Sequence, residues 1–72
     1  MVYKYIGIVG TSKTGIDDGI KNAIEEAGKT VKNLQWVELG RVTVRIENEN
    51  IKEYQTEVRI GFKIERNKEE EK

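Results

Sequence analysis

The chain has 72 residues, too few for two domains. Its 13 Lys and Arg residues balance 13 Asp and Glu residues, so it lacks the basic surplus with which nucleic-acid binders displace counterions from phosphates. No apolar run approaches the roughly 20 residues that a membrane span needs, and the absence of Cys and His removes disulfides, thiolate chemistry and the commonest general base.

These limits raise a stability problem. A core of this size seldom yields more than ~3–5 kcal/mol, and small domains add disulfides, a metal or a partner subunit. With neither Cys nor His available, oligomerisation is the expected remedy. No cleavable apolar leader precedes the first strand pattern, so the expected compartment is the cytoplasm, with neither nucleic acid nor membrane as a partner.

Val2 to Val9 is rich in β-branched and aromatic residues and ends at Gly10, which predicts a strand. Thr11 to Gly15 reads as a polar turn. Ser12 or Thr14 is a candidate helix cap, with Asp17 three residues after Thr14 as in a capping box, and Asp17 and Asp18 suit the positive end of a helix dipole. From about Gly15 to about Val31 the residues Ile16, Ile20, Ala23, Ile24, Ala27 and Val31 form one stripe at a period near 3.6, which predicts an amphipathic helix. Gly19 and Gly28 each cost such a helix about 1 kcal/mol relative to Ala, unless close packing calls for them. Asn33 is a candidate stop.

Two long strands are predicted next. From about Leu34 to about Glu47, Val37 and Leu39 share a face, and Val42, Val44 and Ile46 continue the series after a one-residue slip at Gly40–Arg41. A slip of one sends every later side chain to the other face, and a β-bulge at Gly40 would absorb it. Glu47 to Asn50 supplies a turn. From Glu53 to Glu65, Tyr54, Thr56, Val58, Ile60, Phe62 and Ile64 alternate with polar residues, as in an antiparallel sheet covered on one face. The expected class is α+β, in the order β-α-β-β, with one domain over residues 1–65. Residues 66–72, charged and without an apolar side chain, are expected to be a frayed tail.

This alternation puts Trp36, the single tryptophan, on the polar face with Glu38, Arg41, Thr43, Arg45, Gln55, Glu57, Arg59 and Lys63. A large aromatic among charges is informative. It is either a subunit-interface residue, a stacking platform for a flat ligand, or simply exposed. Gln55 taken alone reads as an ordinary surface residue. Glu25, Glu26 and the Glu69 to Glu71 run read as solvated surface. Neither a GxGxxG nor a Walker pattern is present, so no catalytic activity is expected.

Five segments, Val2-Tyr3-Lys4-Tyr5-Ile6, Ile8-Val9-Gly10-Thr11-Ser12, Gln35-Trp36-Val37-Glu38, Tyr54-Gln55-Thr56-Glu57-Val58 and Gly61-Phe62-Lys63-Ile64-Glu65, occur in an order and spacing that resemble the dodecin family over about residues 2–65. The resemblance implies a three-stranded antiparallel sheet curled around one helix, twelve copies in a hollow sphere, and flavins (FMN or riboflavin) bound in pairs between symmetry-related tryptophans. It carries the stacking role onto Trp36 and the hydrogen bonds to the polar edge of the isoalloxazine onto Gln55. Glu38, Thr43, Arg45 and Lys63 are the remaining candidate flavin contacts. Thr43 stands where many bacterial members have Arg, Lys63 where relatives often have Arg and could meet a phosphate, and Gly7 where an acidic residue is common. These departures leave the preferred flavin open. Some members also hold coenzyme A, which no residue here is assigned to bind. The alternative is a self-assembling shell, or a coenzyme A- or metal-binding protein, without flavin.

Overall fold

The computed structural model describes residues 1–65, so the expected frayed tail lies outside the described residues. The order is β1 (Tyr3–Ser12), α1 (Ile16–Gly28), β2 (Leu34–Glu47) and β3 (Asn50–Lys63). The sheet is antiparallel throughout, in the order β1-β3-β2. The last strand is therefore central, and the first and third elements of the sheet are its edges.

The register carries the alternation. Val58 and Ile60 are fully buried under α1, with Ala23 and Ala27 above them and Ile6, Ile8, Ile20, Leu34 and Val37 around them. Full burial of Val58 and Ile60 contributes about 1.5–3 kcal/mol each. The predicted bulge is present: Leu39 pairs with Val58 and Val42 with Thr56, so β2 carries one extra residue at Gly40–Arg41. A Cβ on Gly40 would stand 2.9 Å from the Glu57 carboxylate and 3.1 Å from its carbonyl oxygen, so a side chain there would displace the carboxylate and press on the backbone of β3. Two shifts were not expected, one between Leu34 and Trp36 and one between Arg45 and Ile46. The hairpin turns at Asn48 and Glu49, both at positive φ (52° and 63°), which matches the twist of the flanking strands.

Three expectations change. First, β1 does not stop at Gly10; Thr11 and Ser12 pair with Gln55 and Tyr54, because β3 extends far enough to offer partners to the polar residues as well. Second, α1 is shorter than its stripe and ends at Gly28, with Asn33 in the left-handed conformation beyond it (φ 65°). Third, the capping box does not form. Gly15 is the N-cap and has no side-chain bond; instead Ser12 Oγ and Thr14 Oγ1 donate to the Asp18 carboxylate at 3.1 and 2.9 Å, and Ser12 Oγ accepts from the Thr14 amide. Asp17 and Asp18 do occupy the first turn, where the helix dipole favours them.

The helix sits on its small residues. Gly19, Ala23 and Ala27 form the buried row, while Ile16 and Ile24 remain partly exposed. A Cβ on Gly10 would lie 2.0 Å from the Gly19 carbonyl oxygen, so helix and sheet approach backbone to backbone there. The 13-residue helix reaches about 20 Å, while the 14-residue β3 reaches about 46 Å. The turn end of the hairpin therefore extends past the helix.

Candidate functional site

On the sheet face away from α1, the residues of the three strands fall into rows. Tyr5, Gly61 and Trp36 are opposite one another, and so are Gly7, Arg59 and Glu38. Farther along, Thr11, Gln55 and Thr43 form another row, followed by Glu53 and Arg45. Strand pleating places all of these side chains on one side.

Trp36 is 41 % exposed. Its indole lies over Gly61, where a Cβ would come within 2.4 Å of Cε2, so only glycine leaves room for the ring to lie there. The indole N–H donates to the Tyr5 hydroxyl at 3.1 Å. The rings of Tyr3 and Tyr5 stand 5.1 and 5.8 Å from it between centroids, the second edge-on at 85°. Arg59 lies over the other ring of this cluster, with its guanidinium carbon 4.3 Å from the Tyr5 centroid, and donates to Glu38 at 3.4 Å. The Arg59–Glu38 pair is about half exposed, so it orients side chains more than it stabilises the fold. Lys63 follows Gly61 on the same face and pairs across with Tyr3.

The second group is at the far end of the face. Gln55 Oε1 accepts from Thr43 Oγ1 at 3.0 Å. Both line an open cavity of about 250 Å³ with Val9, Arg41 and Glu57. The amide nitrogen of Gln55 has no protein acceptor among the described residues and is available to a ligand. Arg45 is paired with Glu53 at 3.6 Å.

The six residues singled out from sequence thus lie on the face assigned to them, but not in one place. Trp36, Glu38 and Lys63 belong to one end, and Thr43, Arg45 and Gln55 to the other. Trp36 is level with Gly61, and the six positions from Gly61 to Gln55 span about 20 Å of strand. Trp36 and Gln55 of one chain are thus well separated along β3.

Tyr3, Tyr5 and Gly61 are neighbours of the indole, and Arg59 a neighbour of Tyr5, that the sequence pattern does not single out as site residues. The signal was present in β1, where Tyr3, Tyr5 and Gly7 share a parity opposite to Ile6 and Ile8. Among the described residues, no three His, Cys, Asp or Glu side chains converge as metal ligands, and no helix is long and apolar enough to cross a membrane.

Comparison with known proteins agrees with this architecture. The dodecin family model matches residues 2–65. The chain is 38% identical over 64 residues to a dodecin of Thermus thermophilus, covering 89% of this chain and 93% of the relative. The solved structure of a Streptomyces coelicolor dodecin superposes with a TM-score of 0.87 at 32% identity, over 90% of this chain and 93% of that one. A Mycobacterium tuberculosis protein described as a calcium-chelating antigen, calcium dodecin, has the same fold at 22% identity, with a TM-score of 0.78 over 94% of this chain and 97% of that one.

Proposed function

The chain belongs to the dodecin family, and from that premise we propose that it is a flavin-binding storage or sequestration protein. In this reading twelve copies form a hollow shell, and pairs of FMN or riboflavin molecules stack between Trp36 indoles of symmetry-related copies. No catalytic step belongs to it; bound flavin is withheld from solution and from photochemistry, with its fluorescence quenched by electron transfer from Trp36.

The observation that carries this reading is the setting of Trp36. One face of the indole is seated on the bare backbone of Gly61 and the ring is exposed on a polar surface. A rigid indole with one face outward suits a flat, poorly solvated ring system. Magnitudes explain why two are needed. Burying ~150–200 Å² of one indole at ~25 cal/mol/Å² gives roughly 4–5 kcal/mol before ordering costs, whereas a micromolar complex needs ~8 kcal/mol. A sandwich of two indoles reaches that figure, and a symmetry axis supplies the second.

Gln55 adds the polar edge. Its amide offers donors and an acceptor to the matching edge of the ring. Apolar side chains on the uncovered hairpin, among them Val42, Val44 and Ile46, support assembly in either of two readings, the flavin-binding shell or a shell without flavin.

A fluorescence titration of riboflavin and of FMN with the purified protein decides between them. Strong quenching that saturates near one flavin per chain is the expected result. Unquenched flavin would reject flavin as the ligand and leave the shell. The companion variant is Trp36→Ala, expected to weaken flavin binding by ~2–4 kcal/mol, the range of a buried aromatic anchor, with the assembly intact by size-exclusion chromatography.

A further inference from the structure

All three strands fix the plane of Trp36. From beneath, Gly61 of β3 admits the indole because it has no side chain; a Cβ there would lie 2.4 Å from Cε2 and 2.5 Å from Cζ2. From the side, Tyr5 of β1 accepts the indole N–H at 3.1 Å and stands edge-on to the ring. Tyr5 is itself held: Arg59 covers its ring, and Glu38 of β2 accepts from Arg59. The contacts form a closed circuit from Trp36 through Tyr5, Arg59 and Glu38 back to the strand that carries Trp36.

Tyr5 is exposed and lies on the face away from α1, so the core does not call for it. Its hydroxyl serves only the indole among the described residues. A tryptophan on an edge strand has several rotamers within reach. Any ligand that stacks on it must select one, and that ordering cost is subtracted from affinity unless the protein has already made the selection.

We propose that Tyr5 is a positioning residue for the stacking face: its hydroxyl selects the rotamer in which Trp36 lies flat on Gly61, and so presents the outer indole face before a ligand arrives. The identity of the ligand rests on the flavin reading above; the fixing of the indole does not. Tyr5→Phe keeps the ring edge and loses the hydrogen bond, which is expected to weaken binding of riboflavin and FMN alike by about three- to tenfold.

Because Trp36 is the single tryptophan, its emission reports this geometry without any ligand. The experiment compares emission maximum, anisotropy and acrylamide quenching for wild type, Tyr5→Phe, Tyr5→Leu and Gly61→Ala, followed by riboflavin and FMN titrations of each. Tyr5→Leu is expected to give redder emission, lower anisotropy and stronger acrylamide quenching, with Tyr5→Phe in between. Gly61→Ala displaces the indole while Tyr5 remains, and is expected to give the same signature. Wild-type emission and quenching in Tyr5→Leu would overturn the proposal, because the indole would then be held without Tyr5. So would displaced emission together with unchanged flavin affinity, because the selected rotamer would then not serve the ligand. If wild type fails to bind either flavin while the emission changes appear as expected, the flavin reading falls and the positioning role of Tyr5 stands.

Discussion

The hairpin of β2 and β3 has a root and a tip that follow the same alternating pattern and end in opposite environments. At the root, under α1, Val58 and Ile60 are 0 % and 1 % exposed. At the tip, beyond the bulge, Ile46 is 72 % exposed, and Val42, Val44 and Ile51 are also open to solvent. Both halves carry an apolar face, but the helix is long enough to cover only one. An alternating pattern therefore states that a face is meant to be covered, and does not state what covers it. For the root the cover is in the same chain. For the tip, in the proposed dodecamer, it is another copy.

The strongest test of the root is Gly10→Val. The new side chain would meet the Gly19 carbonyl and the Ala23 methyl, and the helix would have to lift. A loss of more than about 4 kcal/mol is expected in urea denaturation, large for a single substitution because backbone blocks the relaxation. Next is a matched pair. Ile60→Ala should cost about 3 kcal/mol, and Ile46→Ala under about 0.5 kcal/mol in the dissociated chain. Equal losses in the dissociated chain would mean that root and tip do not differ as described. Val44→Asp sharpens the contrast from the other side. The chain's own stability should change by less than about 1 kcal/mol, while size-exclusion chromatography shows smaller species; an intact assembly would mean that the tip is not the interface. The smallest effect concerns Thr56, whose hydroxyl is fully buried without a hydrogen-bond partner among the described residues. Thr56→Val removes that desolvated group at nearly equal volume and should raise stability by about 1 kcal/mol, seen as a higher midpoint of unfolding.

Much of this was legible in the sequence. The slip between Leu39 and Val42 located the bulge, and parity put Trp36 and Gln55 on one face. Other features were not, for physical reasons. A period of two fixes the face of a strand and says nothing about distance along it, so the separation of Trp36 from Gln55 required the register. The helix stripe contains Ala23 and Ala27 of the contact row but not Gly19, which is buried beside them. Close approach to a sheet selects small side chains, and a hydrophobic ranking undervalues them. Likewise the spacing rule pairs Thr14 with Asp17, although the carboxylate that the Ser12 and Thr14 hydroxyls both reach is that of Asp18. Tyr5 escaped notice because its partner is 31 positions away in the chain, a separation that no local pattern reports.

The central place of β3 also governs when the protein can fold. Among the described residues β1 pairs only with β3, and its register runs from Ser12 against Tyr54 to Tyr3 against Lys63. As the chain leaves the ribosome, its first strand is made early and waits, with the helix above it, until almost the last described residue has emerged. The ladder that joins them closes long loops, from Ser12 to Tyr54 at the shortest and from Tyr3 to Lys63 at the longest, and such non-local pairing is slow. A growing chain therefore carries an unpaired, partly apolar β1 until β3 has been made, and the core and the contact of Tyr5 with Trp36 form only then.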